Sequence, residues 1–329
     1  MWITLTGAQA APTEAALPDA CAPHAGLSAA SRPASSTASS PGIALGSGLT
    51  DGLRTHRVGA GEYLTLIGAR HGVSAAVIAR DNGIAANGPL KAGQSLSIDA
   101  RHIVPALRED GLLINVAQRM LFHLSDGRLS DAYPIAAGRA DWPTPRGPFQ
   151  IVDLQRDKAW IVPPSIQREM AREGQEVLTR VEPGPENPLG RHWIGLSIPG
   201  IGIHGTNAPA SLYALRSHGC IRMHPDDVAE LFGRVSRGTP GEIVYHPVLL
   251  GRLPDGRVFV EAHPDTYRLM ADPRSALTAI ADSLGLRDVI DWQRVSQVLR
   301  AREGIARDVT VRPAARGQDE GPEKGSTRP

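Results

Sequence analysis

The hydrophobic positions change their period along the chain, and those changes divide it. From His56 to Ile98 an alternating run, His56-Arg57-Val58, passes through Gly59-Ala60-Gly61-Glu62 into Leu64, Ile67, Ala69 and then Val77, Ile78 at helical spacing, with Gly72 between the two groups. Asp81-Asn82-Gly83-Ile84 predicts a turn, and Leu90 to Ile98 a Gly-marked turn feeding a closing strand with alternating Leu96 and Ile98. Residues 54–99 therefore form a strand-helix-helix-strand (βααβ) unit, small for an independent core. From 101 to 250 the pattern shortens to β-prone runs, Leu112 to Val116, Met120 to His123 and Asp131 to Ile135. Ser125-Asp126-Gly127-Arg128 between the last two is a hairpin signal. Nine prolines between Pro143 and Pro199 forbid long helices there. Asp226 to Val235, behind His224-Pro225, carries Val228, Ala229, Leu231 and Phe232 on one face and predicts a short amphipathic helix. Ile243-Val244-Tyr245 closes the sheet. In an extension over 251–311, Val258-Phe259-Val260 reads as a strand and Ala276 to Arg302 as helical.

The ends read differently. Thirty of the first 50 residues are Ala, Ser, Pro or Gly, so 1–50 is expected to be a disordered or export and linker segment, and 312–329 a disordered tail. Met1 to Ala11 carries an apolar run and a small-residue Ala8-Gln9-Ala10 like the end of an export signal, without the positively charged start such a signal has.

A length of 329 residues suits two domains with added segments, and no apolar run approaches the ~20 residues of a membrane-spanning helix. A formal charge of +1 lacks the basic field that phosphate backbones select, so nucleic acid is excluded as the expected partner. The two cysteines, Cys21 and Cys220, are too few for a disulfide framework or a zinc cluster. Cys21 reads as incidental.

Cys220 does not. It sits in Ser217-His218-Gly219-Cys220-Ile221-Arg222-Met223, sixteen residues after His204 in Gly202-Ile203-His204-Gly205-Thr206. A thiol becomes a nucleophile when a histidine takes its proton and a cation favours the thiolate, and His204, His218 and Arg222 supply both kinds of group. Gly219, lacking a Cβ, would let an acyl group approach the backbone, so that the N–H groups of Gly219 and Cys220 converge on a developing oxyanion. His192, His204, His218 and Cys220 also contain enough donors for zinc. With no HExxH or paired CxxC motif, and with the thiol needed as nucleophile, no metal or other cofactor is expected.

Two resemblances gather these features. The opening VGAGEYLTLIGARHGVS, the centre DNGI and the close LKAGQSLSI resemble a LysM module, which implies binding to N-acetylglucosamine-containing wall glycan; Tyr63-Leu64 stands where that family often has Thr or Ser before an apolar residue. IHGTN followed by SHGCIRM, with LLINVAQRMLFHLSDGR, PIAAGRADWPTPRGPF and GPENPLGRHWIGLS in order before them, resembles the L,D-transpeptidase (YkuD) catalytic domain over about residues 101 to 250. That resemblance implies a mainly β catalytic domain, a β-sandwich with short helices. It implies Cys220 as nucleophile, His204 as base and the Gly205 carbonyl orienting the imidazole, with His218 and Gly219 completing the catalytic set and Arg222, Ser217 and Thr206 against the substrate. The implied reaction is acyl transfer from a peptidoglycan stem tetrapeptide with loss of D-Ala, to a stem amine (a 3-3 cross-link) or a lipoprotein Lys, with carbapenems as inhibitors and a periplasmic or wall-facing location. Its alternatives are an L,D-carboxypeptidase, a hydrolase that releases proteins from the wall, and a non-catalytic wall-binding protein.

Overall fold

The computed structural model describes residues 43–50, 52–106 and 110–311. The segments holding Cys21, the export-like start and the C-terminal tail lie outside the described residues. The fold is mainly β, and its described residues fall into three units.

The small unit is built as its pattern dictates. Leu53–Arg57 pairs antiparallel with Ser95–Asp99, and helices Leu64–His71 and Ala75–Asp81 pack on them through Leu64, Ile67, Val77, Ile78, Leu96 and Ile98. Ser74 caps the second helix by accepting from the Val77 N–H, whereas Tyr63, at the start of the first, gives no side-chain cap and leaves its ring half exposed.

The central unit is a barrel. Eight strands are hydrogen-bonded in the order Arg128–Gly138, Ile221–Met223, Gly202–His204, His192–Leu196, Gly147–Arg156, Pro240–Val244, Gly111–Asn115 and Met120–Ser125. The expected sandwich closes on itself because Met120–Ser125 also pairs with Arg128–Gly138 through the anticipated hairpin, where Asp126 and Gly127 both take positive φ (54° and 68°). Leu112, Ile114, Leu121, Ile135, Phe149, Ile151, Ile194, Ile203, Ile221 and Ile243 fill its interior. The predicted helix is present as Pro225–Arg234, with Asp226 and Asp227 in its first turn complementing the helix dipole.

The third unit joins the first and last described strands. Its sheet runs Arg307–Asp308, Val258–Ala262, Val248–Arg252, Ile43–Leu49 and Ile103–Pro105. Ile43–Leu49, within the segment read as linker, thus lies parallel to Val248–Arg252 and antiparallel to Ile103–Pro105. The βααβ unit is an excursion between two adjacent strands of this sheet. The long helical run expected over 276–302 is two helices, Pro273–Ser283 and Trp292–Ala301: the chain turns at Gly285, and Asp291 starts the second by accepting from the Gln293 and Arg294 N–H groups.

A buried carboxylate ties the three units together. Glu261 accepts from the Ile103 N–H (2.6 Å), His102 Nδ1 (2.9 Å), Gln118 Nε2 (3.1 Å) and His263 Nε2 (2.7 Å), while His102 Nε2 meets the Gly72 carbonyl of the small unit at 3.0 Å. Burial alone would raise the Glu261 carboxyl, but His102 and His263 hold it down at about 2. Burial pushes His263 down to about 4 against the opposing pull of Glu261. The donor types would suit a cation, yet His263 Nδ1 faces the Arg119 guanidinium at 3.3 Å and must stay an unprotonated acceptor, so the proton on Nε2 occupies the lone pair a metal would need.

Both shifts make the protein sensitive to acid. His263 binds a proton in the unfolded chain below about 6.5 but in the folded chain only near 4, so stability falls as pH drops through that window. Glu261 adds a second loss as pH falls from about 4.5 toward 2. We expect the melting temperature to decline from pH 7 to pH 4, and His263→Leu to flatten that decline; an unchanged slope in the variant would refute the assignment.

Candidate active site

Parallel pairing of Gly202–His204 with Ile221–Met223 sets Ile203 opposite Ile221 and His204 opposite Arg222, which places Cys220 beside Gly202, two residues from His204 on the same strand. The Gly202 N–H points at the Cys220 sulfur, 3.1 Å away. Cys220 is fully buried, packed with Trp160, Val162, Ile166, Met170 and Leu189. The sulfur is in its disulfide form in the structure, so thiol chemistry here concerns the reduced chain. His204, also buried, directs Nδ1 to the Gly205 carbonyl at 2.7 Å. A carbonyl only accepts, so Nδ1 carries the proton and Nε2 presents a basic lone pair.

Trp193, opposite His204 on the neighbouring strand, stacks on the imidazole with centroids 6.0 Å apart and planes 20° apart. Its indole lies over Gly202, where a Cβ would come within 2.5 Å of the ring, so a side chain at 202 would displace the indole.

The remaining predicted residues divide by role. His218 Nε2 is held by Glu169 at 2.5 Å, and Glu169 also accepts from Arg139 at 2.7 Å. Burial opposes charge on that carboxyl, but Arg139 and His218 keep it below the usual range. Trp142 meets the other side of His218 edge-on at 4.8 Å. Gly219 takes φ 110°, a conformation that disfavours a side chain. Its N–H, expected to face an oxyanion, instead donates to Ser217 Oγ at 3.2 Å, and that hydroxyl donates to the Cys220 carbonyl at 2.5 Å. Buried Ser217 thereby clasps the loop that carries Cys220. Thr206, likewise buried, accepts from the Ala208 N–H at 3.0 Å and shapes the turn after His204. Arg222 reaches Ser211 Oγ at 3.4 Å. His192, weighed as a zinc donor, lies against Phe232, with ring centroids 5.0 Å apart.

Sequence reasoning missed Glu169 and Thr144. Thr144 Oγ1 donates to the Gly219 carbonyl at 2.9 Å and accepts from the Gly138 N–H at 2.8 Å. The Thr-Pro pairs around it were the available signal. Nothing near Glu169 in the sequence marks it.

The barrel thus brings Cys220 and His204 to one pair of neighbouring strands, with the His204 tautomer fixed by a carbonyl, an arrangement compatible with nucleophilic thiol chemistry. Residues 109–243 match the L,D-transpeptidase catalytic domain and residues 56–99 the LysM domain. The chain is 31% identical over 229 residues to a probable L,D-transpeptidase ErfK/SrfK of Salmonella typhimurium, covering 67% of this chain and 74% of that protein. It is 30% identical over 232 residues to a probable L,D-transpeptidase YcfS of Escherichia coli, covering 67% and 71%. The solved catalytic domain of the E. faecium L,D-transpeptidase acylated by ertapenem is 22% identical, over 41% of this chain and 98% of that one, with a TM-score of 0.32. The chain belongs to the L,D-transpeptidase family and carries a LysM domain ahead of the catalytic domain.

Proposed function

We propose that the reduced chain transfers the acyl group of a peptidoglycan stem tetrapeptide through a thioester on Cys220. His204 Nε2 takes the thiol proton, and the thiolate attacks the carbonyl that joins the L-centre of the third, diamino acid residue to the terminal D-Ala. The tetrahedral intermediate collapses as the C–N bond breaks, and His204 returns its proton to the leaving amine, so D-Ala departs and the thioester remains. An acceptor amine, from a second stem's diamino acid or from a lipoprotein Lys, gives a proton to His204 and attacks the thioester, forming the new amide and regenerating the thiol. The observation that carries this reading is the His204 Nδ1 contact to the Gly205 carbonyl at 2.7 Å, which commits one ring nitrogen and leaves the other as base.

The LysM domain would hold the enzyme on wall glycan and raise the effective concentration of stems. Peptidoglycan lies outside the cytoplasm, so the chain would act in the periplasm or facing the wall. Among the described residues no helix is long and apolar enough to cross a membrane. An amine rather than water is taken as the acceptor, in keeping with the transpeptidase family to which the catalytic domain belongs. Incubation with a disaccharide-tetrapeptide tests this. A 3-3 linked dimer together with free D-Ala is expected, whereas tripeptide with no dimer would make the enzyme an L,D-carboxypeptidase.

A further inference from the structure

We propose that Tyr267, in the extension beyond the matched catalytic domain, is a positioning residue for acyl transfer, acting through Thr144 on the Gly219–Cys220 peptide. The inference rests on the thioester mechanism above. Tyr267 OH donates to the Gly138 carbonyl at 2.6 Å and accepts from the Thr144 N–H at 3.1 Å. Thr144 Oγ1 accepts from the Gly138 N–H and donates to the Gly219 carbonyl. Each hydroxyl spends its one proton and one lone pair, so the phenol, Gly138 and Thr144 close a ring of hydrogen bonds with a single outlet, the Gly219 oxygen. The described peptides are all trans, so fixing that oxygen fixes the Cys220 N–H of the same plane in the opposite direction. With the Gly219 N–H taken by Ser217, the orientation of the Cys220 N–H matters more for a developing oxyanion.

The phenol is itself placed in advance. Its ring stacks on Tyr245 at 4.6 Å with planes 10° apart, its N–H donates to Tyr245 OH at 2.9 Å, and Tyr245 OH donates to Asp265 at 2.9 Å. Asp265 in turn accepts from the Leu269 and Met270 N–H groups. Burial raises the Tyr267 phenol above its ordinary pKa and keeps its donor proton in place at neutral pH.

Tyr267→Phe keeps the stack and removes the hydroxyl. In the full reduced chain, three rates separate positioning from general damage: D-Ala release from a stem tetrapeptide, acylation by p-nitrophenyl acetate, and alkylation of Cys220 by iodoacetamide. The first two pass through an oxyanion and the third does not. We expect Tyr267→Phe to lower kcat on the peptide and the rate of ester acylation about tenfold, with KM and the alkylation rate unchanged. Thr144→Val should do the same, and the double variant should lose no more than the larger single loss, because both act through one peptide plane. Wild-type acylation in Tyr267→Phe, a parallel fall in alkylation, or fully additive losses would overturn the inference. A wild-type chain inert toward the peptide but acylated by the ester, and slowed there by Tyr267→Phe, would sink the proposed substrate while upholding the positioning role.

Discussion

Cys220→Ala releases no detectable D-Ala from a stem tetrapeptide and forms no covalent adduct, while remaining folded. The expectation rests on two separate features of the position. Chemically, no other group near His204 can form the thioester, so the loss is of the reaction itself. Structurally, the sulfur is one atom in a cluster anchored by Trp160, Ile166 and Met170, and losing it leaves a void smaller than those of larger core truncations. A cost of about 1 kcal/mol would shift the melting temperature by only ~2–4 °C in a domain of this size. Release assays on the reduced variant, paired with thermal melts, check both. Turnover retained by Cys220→Ala would remove the nucleophile assignment, and a collapse of the melt would make the loss of activity uninformative about chemistry.

His204→Gln is expected to slow acylation by ~10²- to 10⁴-fold, the range for a lost general base, with a smaller change in KM. The amide keeps a polar side chain of similar reach but has no basic lone pair for the thiol proton. The other nearby imidazole does not substitute for it, because His218 Nε2 is committed to Glu169 at 2.5 Å and its ring is wedged against Trp142. Single-turnover rates across pH give the check: the variant should lose the limb that reports deprotonation of the base. A wild-type rate and profile would transfer the role to His218.

The parts of this site that could be read in the sequence are those that act over short chain distances. His204 and Gly205 are adjacent, and Cys220 shares a motif with His218, so their grouping needs only one pair of neighbouring strands. The helices at Leu64–His71 and Pro225–Arg234 followed from periodicity because each buries one face. Closure of the barrel depends on which strands pair, and alternation along each strand is the same in a sandwich and a barrel. Ile43–Leu49 was masked by its surroundings: its alternating Ile43 and Leu45 sit in an Ala, Ser, Pro and Gly-rich stretch, and its partner Val248–Arg252 lies some 200 residues away. The Ser217 Oγ contact to the Gly219 N–H two residues on, a turn interaction serine often makes, goes unforeseen because it forms within the motif that is read only for an oxyanion site. Glu169 and Tyr267 approach the site only through tertiary packing, 49 residues before His218 and 123 after Thr144.

The measurement that bears most directly on the account is the intact mass of the reduced chain trapped during reaction with a disaccharide-tetrapeptide, followed by peptide mapping. The account predicts an adduct equal to the substrate less D-Ala, carried on Cys220 and removed by hydroxylamine as a thioester is. An adduct on another residue, or continued D-Ala release with no acylated Cys220 under conditions that trap thioesters, would contradict it.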